Sequence, residues 1–343
     1  MKVPNEYLDI FFKLETMMRI AFVYTGITSY MTDCWRALNM CTDVELRVWI
    51  EDTKTYRYKG NRQEALKDVN AHWEYSENIS ETWLKSVEDD ISIFSPDVVF
   101  VCGWSRKLPT FIAKSKKLTY IPMVLMFDMP WEWSFRKIAA RFALWRRLRR
   151  FGIAYVPGKS TAKYARWLGF SGKNIVEGEY SINLAKFYKG QNDQRVSVRN
   201  GFLYIGRKSQ EKGLDILQNA YKEYRCRGGT WELIISDFVE PADIPAVMNK
   251  HSCLILPSRW EPWGVVVLEA KAAGMKVIVS DKVGARYDLP VDEVFKSGNA
   301  GELADAMLRI EKSVDVVPCV DLNKYSVDSW SNRVIEICER CRK

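Results

Sequence analysis

Histidine is nearly absent from this chain of 343 residues; only His72 and His251 occur. A ligand set or proton relay built on several imidazoles is therefore excluded. No stretch approaches the roughly 18–20 consecutive apolar residues that cross a bilayer as a helix. The start, MKVPNEYLDIFFKLETMMRI, lacks a basic segment followed by a long apolar run, so no secretory leader is expected and the expected compartment is the cytoplasm. There is no G-x-G-x-x-G and no D-x-D triplet. The eight cysteines have no regular spacing and read as reduced thiols. Cys338 and Cys341 form one C-x-x-C with no second pair, which argues against a zinc or redox centre.

What remains is an ordinary globular composition, 47% hydrophobic and 27% charged. The length exceeds that of one typical core and sets two domains as the default. The formal net charge is +8, and much of it is local. Between residues 136 and 150 stand Arg136, Lys137, Arg141, Arg146, Arg147, Arg149 and Arg150, without an acid. Phe135, Ile138, Phe142, Leu144, Trp145 and Leu148 are interleaved. This is a basic amphipathic helix with two readings: a solvated face on a packed helix, or peripheral attachment to an anionic membrane surface. No recognised nucleic-acid module accompanies it, so nucleic acid is not an expected partner.

The first half alternates apolar runs with helical spacing. Residues 1–17 form an extension. Met18–Tyr24 reads as a buried parallel strand that breaks at Gly26, and a helix follows over Tyr30–Leu38. Glu45–Ile50, Asp97–Cys102, Ile121–Phe127 and Ile153–Gly158 read as further strands, and 70–90 has helical spacing. Parallel strands separated by helices imply a sheet covered on both faces. Ligands in such sheets gather at the carboxyl ends of the strands. Gly26, Gly103 and Asp128 fall there. Asp128 reads either as a hydrogen-bond partner of a ligand hydroxyl or as a carboxylate capping the loop before Pro130. Trp131 and Trp133 beside it are either ring-stacking platforms or packed loop aromatics.

The second half restarts the same grammar. Gly201–Ile205 is a strand followed by GRKSQEKG. Arg207 and Lys212, five apart after a strand, can both turn into one pocket and neutralise a diphosphate. Trp231–Asp237 and Lys276–Asp281 are strands, and the loop after Asp237 is placed to meet a base. The stretch LPSRWEPWGVVVLEAKAAG, 256–274, organises the rest. A strand leaves the sheet at Pro257, and a helix is expected from about Pro262 to Gly274. Gly264 and Val265 lie at its N-terminus, where unpaired amides and the helix dipole suit a phosphate. Glu261 is at its mouth. Glu269, about five residues past Gly264, lies roughly 7.5 Å further along the axis.

The segment PSRWEPWGVVVLEAKAAGMKVIVSD, with its E-x7-E pair Glu261 and Glu269, resembles the donor-site signature of retaining GT-B glycosyltransferases of the glycosyltransferase 4 type. GR-x4-KG matches their second signature. The resemblance is strongest over 201–312, clear over 153–187 and loose before that. It implies an α/β GT-B fold: two Rossmann-like domains facing across a deep cleft, with a C-terminal helix crossing back. The implied boundaries are an extension 1–17, an acceptor domain 18–190, a nucleotide-sugar donor domain 191–320 and a returning helix 321–343. By resemblance, Arg207 and Lys212 hold the donor diphosphate with amides near Gly264 and Val265. Glu269 holds the ribose, Glu261 the transferred sugar, and Gly26 lies under the phosphates. Trp131, Trp263 and Gly103 are candidate sugar or acceptor contacts, and Asp128, with Glu261, is a candidate catalytic residue. Many relatives carry histidine where Asp128 stands, and neither His72 nor His251 is placed to replace it. The missing D-x-D agrees with chemistry that needs no metal or other cofactor. The implied acceptor is a glycan or lipid-linked saccharide of surface polysaccharide synthesis. A nucleotide-sugar epimerase or phosphorylase, and a catalytically silent scaffold held at a membrane, stand as alternatives.

Overall fold

The computed structural model describes residues 17–53, 61–132, 134–188, 200–313 and 321–342. The first half runs β1 (Met18–Thr25), α1 (Ser29–Asn39), β2 (Val44–Asp52), β3 (Ala71–Tyr75), α2 (Glu81–Phe94), β4 (Val98–Cys102), α3 (Lys107–Lys114), β5 (Met123–Met126), α4 (Phe135–Leu148), β6 (Ile153–Val156), α5 (Lys159–Leu168) and β7 (Ile175–Glu177). The second runs β8 (Phe202–Ile205), α6 (Leu214–Cys226), β9 (Leu233–Ser236), β10 (Cys253–Leu256), α7 (Val265–Ala272), β11 (Lys276–Ser280), β12 (Glu293–Phe295), α8 (Ala300–Lys312) and α9 (Val327–Arg342). Only helices of eight residues or more are numbered.

All strand pairs are parallel. The strand orders are β3-β2-β1-β4-β5-β6-β7 and β12-β11-β10-β8-β9. Parallel strands covered on both faces must be apolar throughout. Accordingly Ile20, Ala21, Phe22 and Val23 of β1 are fully buried. Phe22 lies opposite Val48 and Phe100 and stacks on Phe100 with ring centroids 4.6 Å apart. Each order reverses once, between β1 and β4 and between β8 and β10. A parallel sheet opens a crevice at such a reversal, at the carboxyl ends of its strands.

Helix ends follow the local sequence. Ser80 Oγ accepts the Trp83 N–H at 3.0 Å and starts α2. Asn299 Oδ1 accepts the Glu302 N–H at 3.1 Å and starts α8. Gly169, with φ +108°, ends α5.

Two expectations need revision, and two short strands were not expected. Helical spacing over 70–90 covers an edge strand, β3, before α2 begins at Glu81. Alternation of Trp73 and Tyr75, paired with Ile50 and Asp52 of β2, outweighs the longer period there. The helix expected from Pro262 starts at Val265, because Gly264 sits at φ +103° and cannot be helical. Strands β7 and β12, three residues each, are too short to show a period.

The crossing between domains is visible in the packing. Tyr180, Ile182, Leu184 and Phe187 pack into the second domain's core with Trp263 and Val267, upstream of the expected boundary. That boundary, between 190 and 191, falls on residues outside those described. The final helix returns: Trp330, Val334, Ile337 and Cys338 are buried with Phe22 and Trp35 in the first domain. Cys338 is a core residue, and burial pushes its thiol well up. The seven described cysteines are free. Among the described residues no helix is long and apolar enough to cross a membrane.

Candidate active site

A cavity of about 570 Å³ lies between the two sheets at both reversals. Its walls come from the ends of β1, β4 and β5 on one side and of β8 and β10 on the other. Gly103, Asp128, Arg207, Lys212, Glu261, Trp263, Gly264 and Val265, all expected from the sequence, line it.

Glu261 is 9% exposed and bridges in parallel to Val283. Its Oε2 accepts from Lys212 Nζ at 2.5 Å and from Ser258 Oγ at 3.4 Å. Lys212 closes a 3₁₀ turn, Gln210–Lys212, and Gly213 follows at φ +68°. A Cβ on Gly213 would stand 2.2 Å from Pro257 O. Glycine there lets the cationic turn lie directly on the loop that carries Glu261. Arg259 fastens the same two loops: its N–H donates to Glu211 O at 2.7 Å, and its guanidinium grips Asp215 at 2.7 and 2.6 Å. Arg207 donates to Glu211 Oε1 at 2.9 Å. The amides of Val265 and Val266 open α7 on the cavity wall, where helix N–H groups have no intrahelical acceptor.

Opposite, Asp128 Oδ2 accepts the Tyr180 hydroxyl at 3.0 Å, and its main-chain oxygen accepts from Thr161 Oγ1 at 3.1 Å. Burial pushes the Asp128 carboxyl up, and the Tyr180 hydrogen bond partly opposes this. A hydrogen bond from its own main chain also lowers it, and the residue lines the cleft.

Other expected residues lie elsewhere. Gly26 adopts φ +78°, but its N–H donates to Glu51 O at 2.9 Å. That amide is occupied within the sheet, and the cavity wall is formed by Tyr24, Thr25 and Thr28 around it. Trp131 is outside the wall and packs on Trp167 and Tyr164, with centroids 4.9 and 5.8 Å away. Trp133 lies outside the described residues. Trp263 is 1% exposed; its Nε1 donates to Asp288 Oδ2 at 2.9 Å and its ring meets Tyr180 edge-on at 5.8 Å. It shapes the wall rather than offering an open stacking face. His72 stacks on Trp49 at 6.2 Å, and His251 Nδ1 lies 2.8 Å from Val247 O. Neither is in the cleft.

Glu269 is partly buried on α7. Burial pushes its carboxyl up to about 7; Lys186 opposes the shift and Asp33 adds to it. Lys186 and Asp33, paired at 2.6 Å, line a second cavity of about 1020 Å³ with Glu240 and Pro241 from the loop after β9. So the glutamate pair divides: Glu261 lines the cleft, and Glu269 lies within the influence of Lys186 and Asp33, which line the neighbouring cavity. Glu179, Tyr180, Tyr24 and Tyr30 also line the cleft and were not singled out from the sequence. Glu179 and Tyr180 follow β7, the strand too short to read.

Residues 231–317 match the family model "Glycosyl transferases group 1". The HepE protein of Anabaena, solved with UDP and glucose, superposes with a TM-score of 0.67 at 14% identity, covering 94% of this chain and 100% of that one. The fold is GT-B. A UDP-GlcNAc 2-epimerase of Methanocaldococcus jannaschii shares this GT-B architecture, with a TM-score of 0.62 at 11% identity, 94% of this chain and 100% of that one. At such identities the likeness concerns the fold and not the reaction. A curated relative, an uncharacterised 41.2 kDa protein in the cps region of Klebsiella pneumoniae, is 25% identical over 187 residues, 50% of this chain and 48% of the relative. The aligned part thus spans about half the length of that relative.

Proposed function

We propose that this chain is a retaining glycosyltransferase of the glycosyltransferase 4 type, acting without a metal on a nucleoside diphosphate sugar. One observation carries the reading: Arg207, Lys212 and the opening amides of α7 converge on one wall of a cleft whose other wall presents Asp128. Two cations and a helix N-terminus can stabilise the charge that develops on a departing diphosphate. Glu261 orients Lys212 and receives hydroxyls of the transferred sugar. The nucleoside extends toward Glu269, with its base by the loop at Glu240. The acceptor hydroxyl attacks from the face that the diphosphate leaves, which retains the anomeric configuration. The departing phosphate oxygen takes the acceptor's proton. Asp128, in the place where many relatives have histidine, accepts a hydroxyl of the transferred sugar.

The acceptor in this reading is a glycan or lipid-linked saccharide, in keeping with the cps region in the relative's name. The test is incubation of nucleotide-sugars and lipid-linked oligosaccharides in EDTA, with products followed by NMR. Transfer with the donor's anomeric configuration is expected. Inverted product, or activity lost in EDTA and restored by a divalent cation, would contradict the reading. Conversion of the donor's sugar without transfer would favour the epimerase alternative, and no turnover the scaffold.

The basic helix supports a cytoplasmic protein peripheral to an anionic membrane. Four of its cations are used internally: Lys137 on Pro130 O at 2.6 Å, Arg141 on Trp167 O at 2.9 Å, Arg147 on Trp104 O at 3.0 Å and Arg150 on Ile121 O at 2.8 Å. Its outer face keeps Arg146 and Arg149 exposed, with Phe135 91%, Phe142 76% and Trp145 53% exposed. Aromatic rings flanked by arginines on one helix face suit the headgroup region. Trp104, held by Arg147, also lines the cleft, so the helix adjoins the place where an acceptor enters. Sedimentation with phosphatidylglycerol vesicles is expected to fall at least about tenfold in Phe142→Ser/Trp145→Ser. Unchanged sedimentation would remove this role from the helix.

A further inference from the structure

We propose that the first-domain wall of the cleft is a subsite for a protonated amine, with Glu179 as its anionic partner and the rings of Tyr24, Tyr30 and Tyr180 around it. This deepens the transferase reading and rests on it: the amine belongs either to the transferred sugar or to the acceptor.

Glu179 is 1% exposed and lines the cleft, and its Oε2 has no hydrogen-bond partner. A buried polar atom without a partner calls for an explanation, and here its residue lines a cavity large enough for a sugar. The backbone at this point is fixed. Trp330 Nε1 donates to Glu179 O at 2.9 Å, and Arg333 donates to Gly178 O at 3.0 Å. Gly178 holds φ +99° with Arg333 packed where a Cβ would stand. The carboxyl is thus presented before any ligand arrives, as a recognition group should be.

Charge selects the ligand. On the second-domain wall each cation has an acid: Arg207 has Glu211 and Lys212 has Glu261. The first-domain wall offers two carboxyls, Asp128 and Glu179, and one cation, Arg106 at the start of α3. Burial pushes both groups up; repulsion from Asp128 adds to the shift of Glu179, while Asp128 itself feels Glu261 and, in the opposite sense, Lys212. A ligand hydroxyl would leave that repulsion in place, whereas an ammonium would neutralise it. The rings supply the remainder. Tyr30 and Tyr180 meet edge-on at 5.3 Å, and with Tyr24 they make an aromatic surround for a carboxyl, the combination that attracts organic cations.

The experiment has two arms. Glucosamine, N-acetylglucosamine and glucose are titrated calorimetrically into the protein, free and saturated with UDP. UDP-glucosamine and UDP-glucose are titrated into the free protein. The amine form is expected to bind at least about tenfold tighter than its neutral counterpart in one arm. The first arm assigns the amine to the acceptor, the second to the transferred sugar. Glu179→Gln is expected to abolish the preference and leave UDP affinity within about twofold. Equal binding of amine and neutral forms in both arms, read on wild type alone, overturns the proposal. Failure of UDP to bind instead strikes at the donor site, and the free-sugar titration still reads Glu179.

Discussion

Lys212→Ala is expected to lower kcat/KM for the donor by about 10²–10³-fold, the cost of removing one positioned charge from a developing oxyanion. Three features set that size. The ammonium is part-buried, 16% exposed, so solvent screens it weakly. It is held by Glu261 at 2.5 Å, so little ordering remains when the diphosphate arrives. Its turn is pressed onto Pro257 by Gly213, so no neighbouring lysine can slide into its place. The substitution also strands the Glu261 carboxylate, 11% exposed on its side chain, and a stability loss accompanies it. Lys212→Arg separates the two effects. It keeps the charge and a partner for Glu261 but changes the reach, so stability should recover more than turnover. Wild-type kcat/KM in a folded Lys212→Ala protein would remove Lys212 from the diphosphate site.

Trp330→Ala is expected to cost about 3–5 kcal/mol, the range for truncating a buried aromatic. This indole on α9 is fully buried, stacked on Phe22 at 5.7 Å and bonded to Glu179 O at 2.9 Å. The helix reaches the first domain from the end of the chain, so the loss loosens a contact between distant segments as well as leaving a void. Against a typical total of about 5–15 kcal/mol, that is a large share. Urea unfolding measures it. Trp330→Phe restores most of the volume but not the N–H and should recover the greater part. A change below about 1 kcal/mol for Trp330→Ala would show that α9 is not fastened there.

Both expectations concern residues of unequal legibility. Lys212, Glu261 and Gly264 could be read from sequence because the constraint is local: a strand end, a left-handed glycine and a short helix within a few residues. The two sheets were legible because buried parallel strands are apolar throughout, as in Ile20–Val23. Trp330 was legible only through the resemblance, which has the last helix cross back; nothing near Val327–Arg342 by itself says which core it enters. Glu179 and Tyr180 follow a three-residue strand that carries no period, and their meaning comes from Asp128, reached only through the fold. Gly26 shows the opposite case: the glycine occupies a strand-end loop, but its N–H is taken by Glu51 O, a long-range pairing that spacing does not reveal. Trp131, next to a candidate carboxylate in sequence, turns to Trp167 because α5 packs there.

The donor site itself is the central claim, and a thermal-shift panel tests it most directly. UDP, GDP, ADP and dTDP are added to wild type and to Arg207→Ala/Lys212→Ala. A ligand bound only by the folded state raises its melting temperature in proportion to log concentration once saturating. One nucleoside diphosphate should stabilise the wild type, by about 2.7 kcal/mol at one hundred times its Kd, and leave the double variant unmoved. Well-folded wild type that none of the four stabilises, or equal shifts in wild type and variant, would contradict the assignment of Arg207 and Lys212 to a diphosphate.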